Sequence, residues 1–194
     1  SGRRKGGSGM AYDWLPDIYP FTACNNDWAR YCDQLYAFFH ADFIHSKPIF
    51  ETLSVNTKRH PEYNDKAATF WHIISDGSNE EERIPDFRRC ERIRWPRPVI
   101  ENPQAVKVWE NDRKGQKSIC IWAEEEVYVV ILRKREGYFL FWTAYLVTHE
   151  HTKRKLAKEY QDFQAIQNAE PLFRVSLVCG DWRCGIAIDH RHYK

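Results

Sequence analysis

Between Ser118 and Val147 the chain holds three runs of β-branched and aromatic residues, Ile119 to Trp122, Val127 to Lys134 and Tyr138 to Val147, and this block constrains the fold most. Such runs form strands. Only Arg135, Glu136 and Gly137 separate the last two, with Gly137 suited to a left-handed position, so these strands are expected to be antiparallel neighbours. The same charged break interrupts the most hydrophobic stretch, Val127 to Val147, which therefore lacks the roughly 20 uninterrupted apolar residues of a membrane span. No membrane partner is expected. Strict alternation along Tyr138 to Val147 places Phe139, Phe141, Thr143, Tyr145 and Val147 on one face, and Leu140, Trp142, Ala144 and Leu146 on the other.

Helices bracket this block. Trp28, Tyr31, Cys32, Leu35, Phe38 and Phe39 recur at three- and four-residue steps behind the capping candidates Asn25 and Asn26, which predicts an amphipathic helix from about Asp27 to Phe43. A second helix is predicted from His151 to about Gln164, with Leu156, Tyr160 and Phe163 on one face and Lys153, Arg154, Lys155 and Lys158 around the rest. Thr57 to Asp65 reads as a basic loop, and Thr69 to Ile74 as a short apolar element, in which an alternating strand would direct His72 opposite Trp71 and Ile73. Leu172 to Cys179 reads as a last strand before a tail. Helices, then strands, then a helix define an α+β chain. With 194 residues it fits a single domain over 11–194, behind a Gly-, Ser- and Arg-rich arm at 1–10 that looks like a tag or disordered segment.

Global charge carries no functional signal. Setting aside Arg3, Arg4 and Lys5 in the arm turns a formal net charge of +2 into −1, so only the distribution of charge informs. That distribution is uneven: Arg88, Arg89, Arg92, Arg94 and Arg97 fall within ten residues, with Trp95 among them. Guanidinium forks match phosphate oxygens two at a time and an indole can stack on a base, so the segment points to nucleic acid. The alternative is a solvated stretch paired with Glu80, Glu81, Glu82 and Glu91. Six scattered cysteines without a secretory leader fit reduced thiols and a cytoplasmic protein.

Several chemistries lack their signatures. There is no phosphate loop, dinucleotide glycine fingerprint or HExxH helix. His151 and Lys153 resemble the start of a phospholipase-D-type motif, but the required Asp at 158 is Lys158. In the tail, Cys179, Cys184, His190 and His192 are of zinc-ligand type at unusual spacing, and a tail with two buried cysteines is the preferred reading. No metal or cofactor is expected. His72, within Phe70-Trp71-His72-Ile73-Ile74, is either a core histidine bound to a carbonyl or a proton-transfer group, since imidazole titrates near neutrality. Thr143 and Tyr145 emerge together and could hold a phosphate, or only meet water at a half-buried strand. Lys58 and His60 in the basic loop and Arg133 on the preceding strand complete the candidate substrate contacts.

Asp42-Phe43-Ile44, Thr69-Phe70-Trp71-His72, Pro85 to Trp95, a hairpin, Trp142-Thr143-Ala144-Tyr145 and a basic helix occur in that order. This pattern, over about Trp28 to Tyr160, resembles phage- and prophage-encoded proteins grouped with the barnase, EndoU, colicin and RelE-type toxin ribonucleases. The resemblance implies N-terminal helices packed on an antiparallel sheet of about four strands whose open face carries a metal-independent ribonuclease site. It assigns proton transfer to His72, puts Thr143 and Tyr145 on the sheet facing the phosphate, and makes Arg92 and Arg94 the charge stabilisers. His60 is the candidate second acid or base.

The expectation from these residues is an endoribonuclease, of toxin or phage-conflict type, acting on single-stranded or looped RNA whose bases stack on Trp95 or Tyr145. An antitoxin or immunity protein would be its partner. Two other readings stay open: a nucleic-acid-binding module without catalysis, and a protein-binding partner or inhibitor that uses exposed aromatics.

Overall fold

A computed structural model describes residues 11–77, 83–113 and 115–169. The arm at 1–10 and the tail with Leu172 to Cys179, Trp182, Cys184, His190 and His192 lie outside the described residues. The fold is α+β. In chain order the elements are α1 (Trp28–Phe39), β1 (Ile49–Phe50), β2 (Leu53–Asn56), α2 (Ala68–Ile74), β3 (Ser75–Asp76), β4 (Ile84–Pro85), α3 (Phe87–Cys90), α4 (Pro96–Glu101), β5 (Lys107–Arg113), β6 (Gln116–Ala123), β7 (Tyr128–Arg135), β8 (Tyr138–Leu146) and α5 (Glu150–Ala169).

The main sheet has six strands rather than about four, in the order β1-β2-β8-β7-β6-β5, and it is mixed. β5 to β8 form an antiparallel meander, whereas β2 joins β8 in parallel through Val55↔Phe139 and Asn56↔Leu140. A parallel neighbour requires a crossover, and here α2, α3, α4 and the three strands β5 to β7 separate the pair in the chain. The hairpin after β7 is as expected, with Gly137 at φ 76°. One face of the sheet carries Ile121, Val130, Leu132, Phe139, Phe141 and Ala144 against Leu35, Phe39, Phe43 and Phe70 of the helical layer. Phe43 stacks on Phe141 at 4.8 Å and Phe50 meets Phe139 edge-on at 5.2 Å. The opposite face buries Trp109, Trp122, Val129 and Val147 beneath Leu156 of α5, so both indoles are core.

α1 starts at Asp27, whose carboxylate accepts from the Arg30 N–H at 3.1 Å. Asn25 and Asn26 instead take left-handed conformations ahead of that cap. After Phe39 the helix widens into a π-helical turn, His40–His45. The run Thr69 to Ile74 is helical, not a strand. Carbonyls of Arg59 and Lys58 accept the N–H groups of Ala68 and Thr69, and the Thr69 hydroxyl accepts from the Lys58 N–H at 2.8 Å. These bonds satisfy a first helical turn, and Phe70, Ile73 and Ile74 then reach the core at helical spacing. All four described cysteines, Cys24, Cys32, Cys90 and Cys120, are buried and in no disulfide; burial pushes the Cys90 thiol up to about 12.

Candidate functional site along the bulged strand β8

β8 does not alternate regularly. Ile131 faces Thr143 while the next residue, Leu132, faces Phe141, so Trp142 is the extra residue of a β-bulge. The bulge changes the faces read from strict alternation. Phe139 and Phe141 point to the helical layer, as do Ala144 and Leu146, whereas Tyr145 and Val147 belong to the α5 side. Thr143 opposes Ile131, which packs on that same α5 side. Thr143 and Tyr145 therefore share a face as expected, but not with Phe139 and Phe141.

The bulged Trp142 organises one end of the site. The Arg133 guanidinium carbon lies 3.1 Å from the Trp142 ring centroid, and the His72 ring sits 5.4 Å from the same indole. Arg133 thus lies on the α5 side of the sheet, where its cross-strand partner is Leu140. Among the described residues no carboxylate comes within ion-pair distance of Arg133, and desolvation and then the charge of Arg135 both lower its pKa. The His72 backbone carbonyl accepts from Arg83 at 3.4 Å.

The other end is a cleft of about 200 Å³ walled by Asp76, Asp86, Arg88, Arg89 and Tyr145 and closed by Thr148, His149 and Thr152 at the start of α5. Arg89 lies over the Tyr145 ring at 5.7 Å and bonds Asp76 at 3.0 Å, with Asp86 3.8 Å away. Asp86 also caps α3 by accepting the Arg88 N–H. Arg88 remains 64% exposed with only a 3.7 Å contact to Asp86, which makes it the more available cation. His149 stacks on His151 at 5.4 Å. The sequence reading missed His149, although a His-x-His pair opening a basic helix was a visible signal.

The five arginines do not act as one cluster. Residues 87 to 101 form two helical turns and a link, so successive guanidiniums fan out around the axis. Only Arg88 and Arg89 face the cleft. Arg92 folds inward: its Nη1 donates to the Arg88 carbonyl at 3.0 Å, its guanidinium covers Trp95 at 4.9 Å, and its Nε is buried without a partner. Arg94 lies over Phe38 at 5.1 Å, on the α1 side. Arg97 donates to the carbonyls of Asp42 and Ser46 at 2.9 and 2.6 Å and so closes the end of the π-helical turn. Burial raises the Asp42 carboxyl, against the lowering pull of Arg97 and Arg94.

Trp95 is 2% exposed, and its indole N–H donates to the Pro16 carbonyl at 2.9 Å. Its ring is core and no base can stack on it. Arg92 and Arg94, assigned as charge stabilisers, likewise do not line the cleft. Lys58 is tied through its backbone to Thr69, one helical turn before His72, and His60 is exposed in the same loop; neither side chain lines the cleft. Among the described residues, Tyr63 and Phe87 are the large aromatic rings left exposed, beside the aliphatic Ile18, Ile49, Ile84 and Ile166. No described group of three His, Cys, Asp or Glu side chains could hold a metal ion, and no described helix is long and apolar enough to cross a membrane.

No protein-family model matches this sequence, and neither a curated protein nor a solved structure is significantly similar to it.

Proposed function

We propose that this protein is an endoribonuclease whose substrate strand lies along β8 beyond Leu140, where its pairing with β2 ends. One observation carries the reading: His72, Arg133 and Trp142 at one end and Arg88, Arg89, Tyr145 and His149 at the other border the same bulged strand, with Thr143 between. In this reading His72 takes the proton of a ribose 2′-hydroxyl, whose oxygen attacks the adjacent phosphorus. The bond from phosphorus to the 5′-oxygen breaks, and that oxygen takes its proton from water, since His149 stands at the other end of the strand. Arg88 and Arg89, at the cleft end, hold neighbouring phosphates of the same strand. Cytoplasmic action and an antitoxin or immunity partner belong to the same proposal.

The test is incubation of purified protein with end-labelled single-stranded RNA. Fragments ending in a 2′,3′-cyclic phosphate are expected, at a rate that EDTA leaves unchanged; intact RNA bound without turnover would favour a binding module instead. A companion measurement isolates the phosphate contact. Arg88→Ala is expected to weaken RNA binding and to make the slope of log affinity against log salt shallower by about one, while the melting temperature stays put. An unchanged salt slope would remove Arg88 from the interface.

A further inference from the structure

The β-bulge places an extra residue at one position of β8, and that residue is the largest side chain available, Trp142. Bulges re-aim side chains beside functional sites. Here the consequence is a ladder. The Trp142 indole carries the His72 ring on one side of the arrangement and the flat Arg133 guanidinium directly against its π-face, at 3.1 Å.

Arg89 has Asp76 and Asp86, Arg97 has Glu101, and Arg59 has Glu62, but among the described residues Arg133 has no carboxylate and has the cationic Arg135 two residues along the same strand. Attraction to the indole quadrupole holds it flat, which leaves its outer face and its edge donors uncommitted to an anion. A planar cation fixed in this way stacks on the π-face of a nucleobase while its edge donates to an adjacent phosphate. Tyr145, the other ring along the strip, already lies under Arg89, and Trp95 is buried, so neither offers a clear stacking face.

We propose that Arg133, held flat by Trp142, is the stacking subsite for one unpaired nucleobase next to the phosphate that His72 addresses. The inference rests on the reading of β8 as an RNA surface and names its substrate class: RNA with at least one base splayed out of a helix, not duplex. Base selection is weak at such a platform, because every base has a π-face.

The experiment uses the full chain and a short 2′-O-methyl oligouridine, which cannot be cut, with an abasic residue placed at each position in turn. One position is expected to lose about tenfold in affinity when its base is removed. Arg133→Lys keeps the charge but not the plane, and is expected to bind the intact oligomer about tenfold more weakly, with no further loss at that abasic position. Trp142→Leu is expected to reproduce the same pattern by releasing the guanidinium. Additive losses from the abasic position and Arg133→Lys, or equal affinity of Arg133→Lys and the unaltered protein, would overturn the inference. Failure of the cleavage reading is separate: coupling between base and Arg133 without turnover on cleavable RNA keeps the platform and removes the nuclease, whereas turnover without coupling does the reverse.

Discussion

His72→Ala is expected to reduce RNA cleavage by about 10²- to 10⁴-fold, the range over which a positioned acid or base contributes. Affinity for uncut RNA is expected to stay within about threefold, since Arg88, Arg89 and Arg133 are left in place. The fold is expected to tolerate the change, because alanine raises the helix propensity of α2 and the core contacts of that helix come from Phe70, Ile73 and Ile74. Single-turnover kinetics at saturating protein read the two effects separately. Cleavage at the original rate would exclude His72 from the chemistry. Loss of binding in step with cleavage would make it a positioning group for Trp142 instead.

The second large effect is on stability. Trp95→Ala is expected to cost about 3–5 kcal/mol, the usual range for deleting a fully buried aromatic side chain. Three contacts go with the indole: the hydrogen bond to Pro16, the edge-on packing of Tyr128 at 5.3 Å, and the face on which Arg92 rests. Losing the last strips the Arg92 guanidinium of its ring contact and leaves it the Arg88 carbonyl and Glu91. For a domain with a total stability of about 5–15 kcal/mol, the variant stands near the edge of folding. Chemical denaturation gives the value directly, and Trp95→Phe, which forfeits mainly the hydrogen bond, is expected to cost less. A stable Trp95→Ala protein that fails only in RNA binding would restore the stacking role that the sequence suggests for this residue.

Both experiments turn on residues whose roles depended on the path of the chain. Trp95 and the arginines around it read as one exposed patch because they are adjacent in sequence. The helical turns from Phe87 to Glu101 separate them: Arg88 and Arg89 meet the cleft, Trp95 enters the core with Arg92 covering its ring, and Arg94 and Arg97 reach α1 and the π-helical turn. Sequence proximity within a helix is angular dispersion in space. The histidine shows the complementary case. His72 was legible as a candidate, but its element was not, because a six-residue apolar run fits a strand or a helix equally well until its end groups find partners. The carbonyls of Lys58 and Arg59 decide the matter, from a loop with no hydrophobic periodicity at all.

What the sequence alone determined is the part governed by local periodicity: α1 with its buried Tyr31, Leu35 and Phe39, the β7–β8 hairpin at Gly137, the amphipathic α5, and hence the α+β class. Those elements follow from repeats of two or of three to four residues that a single segment carries within itself. Tertiary structure decided the parallel entry of β2 beside β8, the bulge that turns out Trp142, and the meeting of Arg89 with Tyr145 and of Arg133 with the indole. Each of these joins segments whose pairing depends on register and on burial against a distant partner, and neither quantity is encoded within the span of one element.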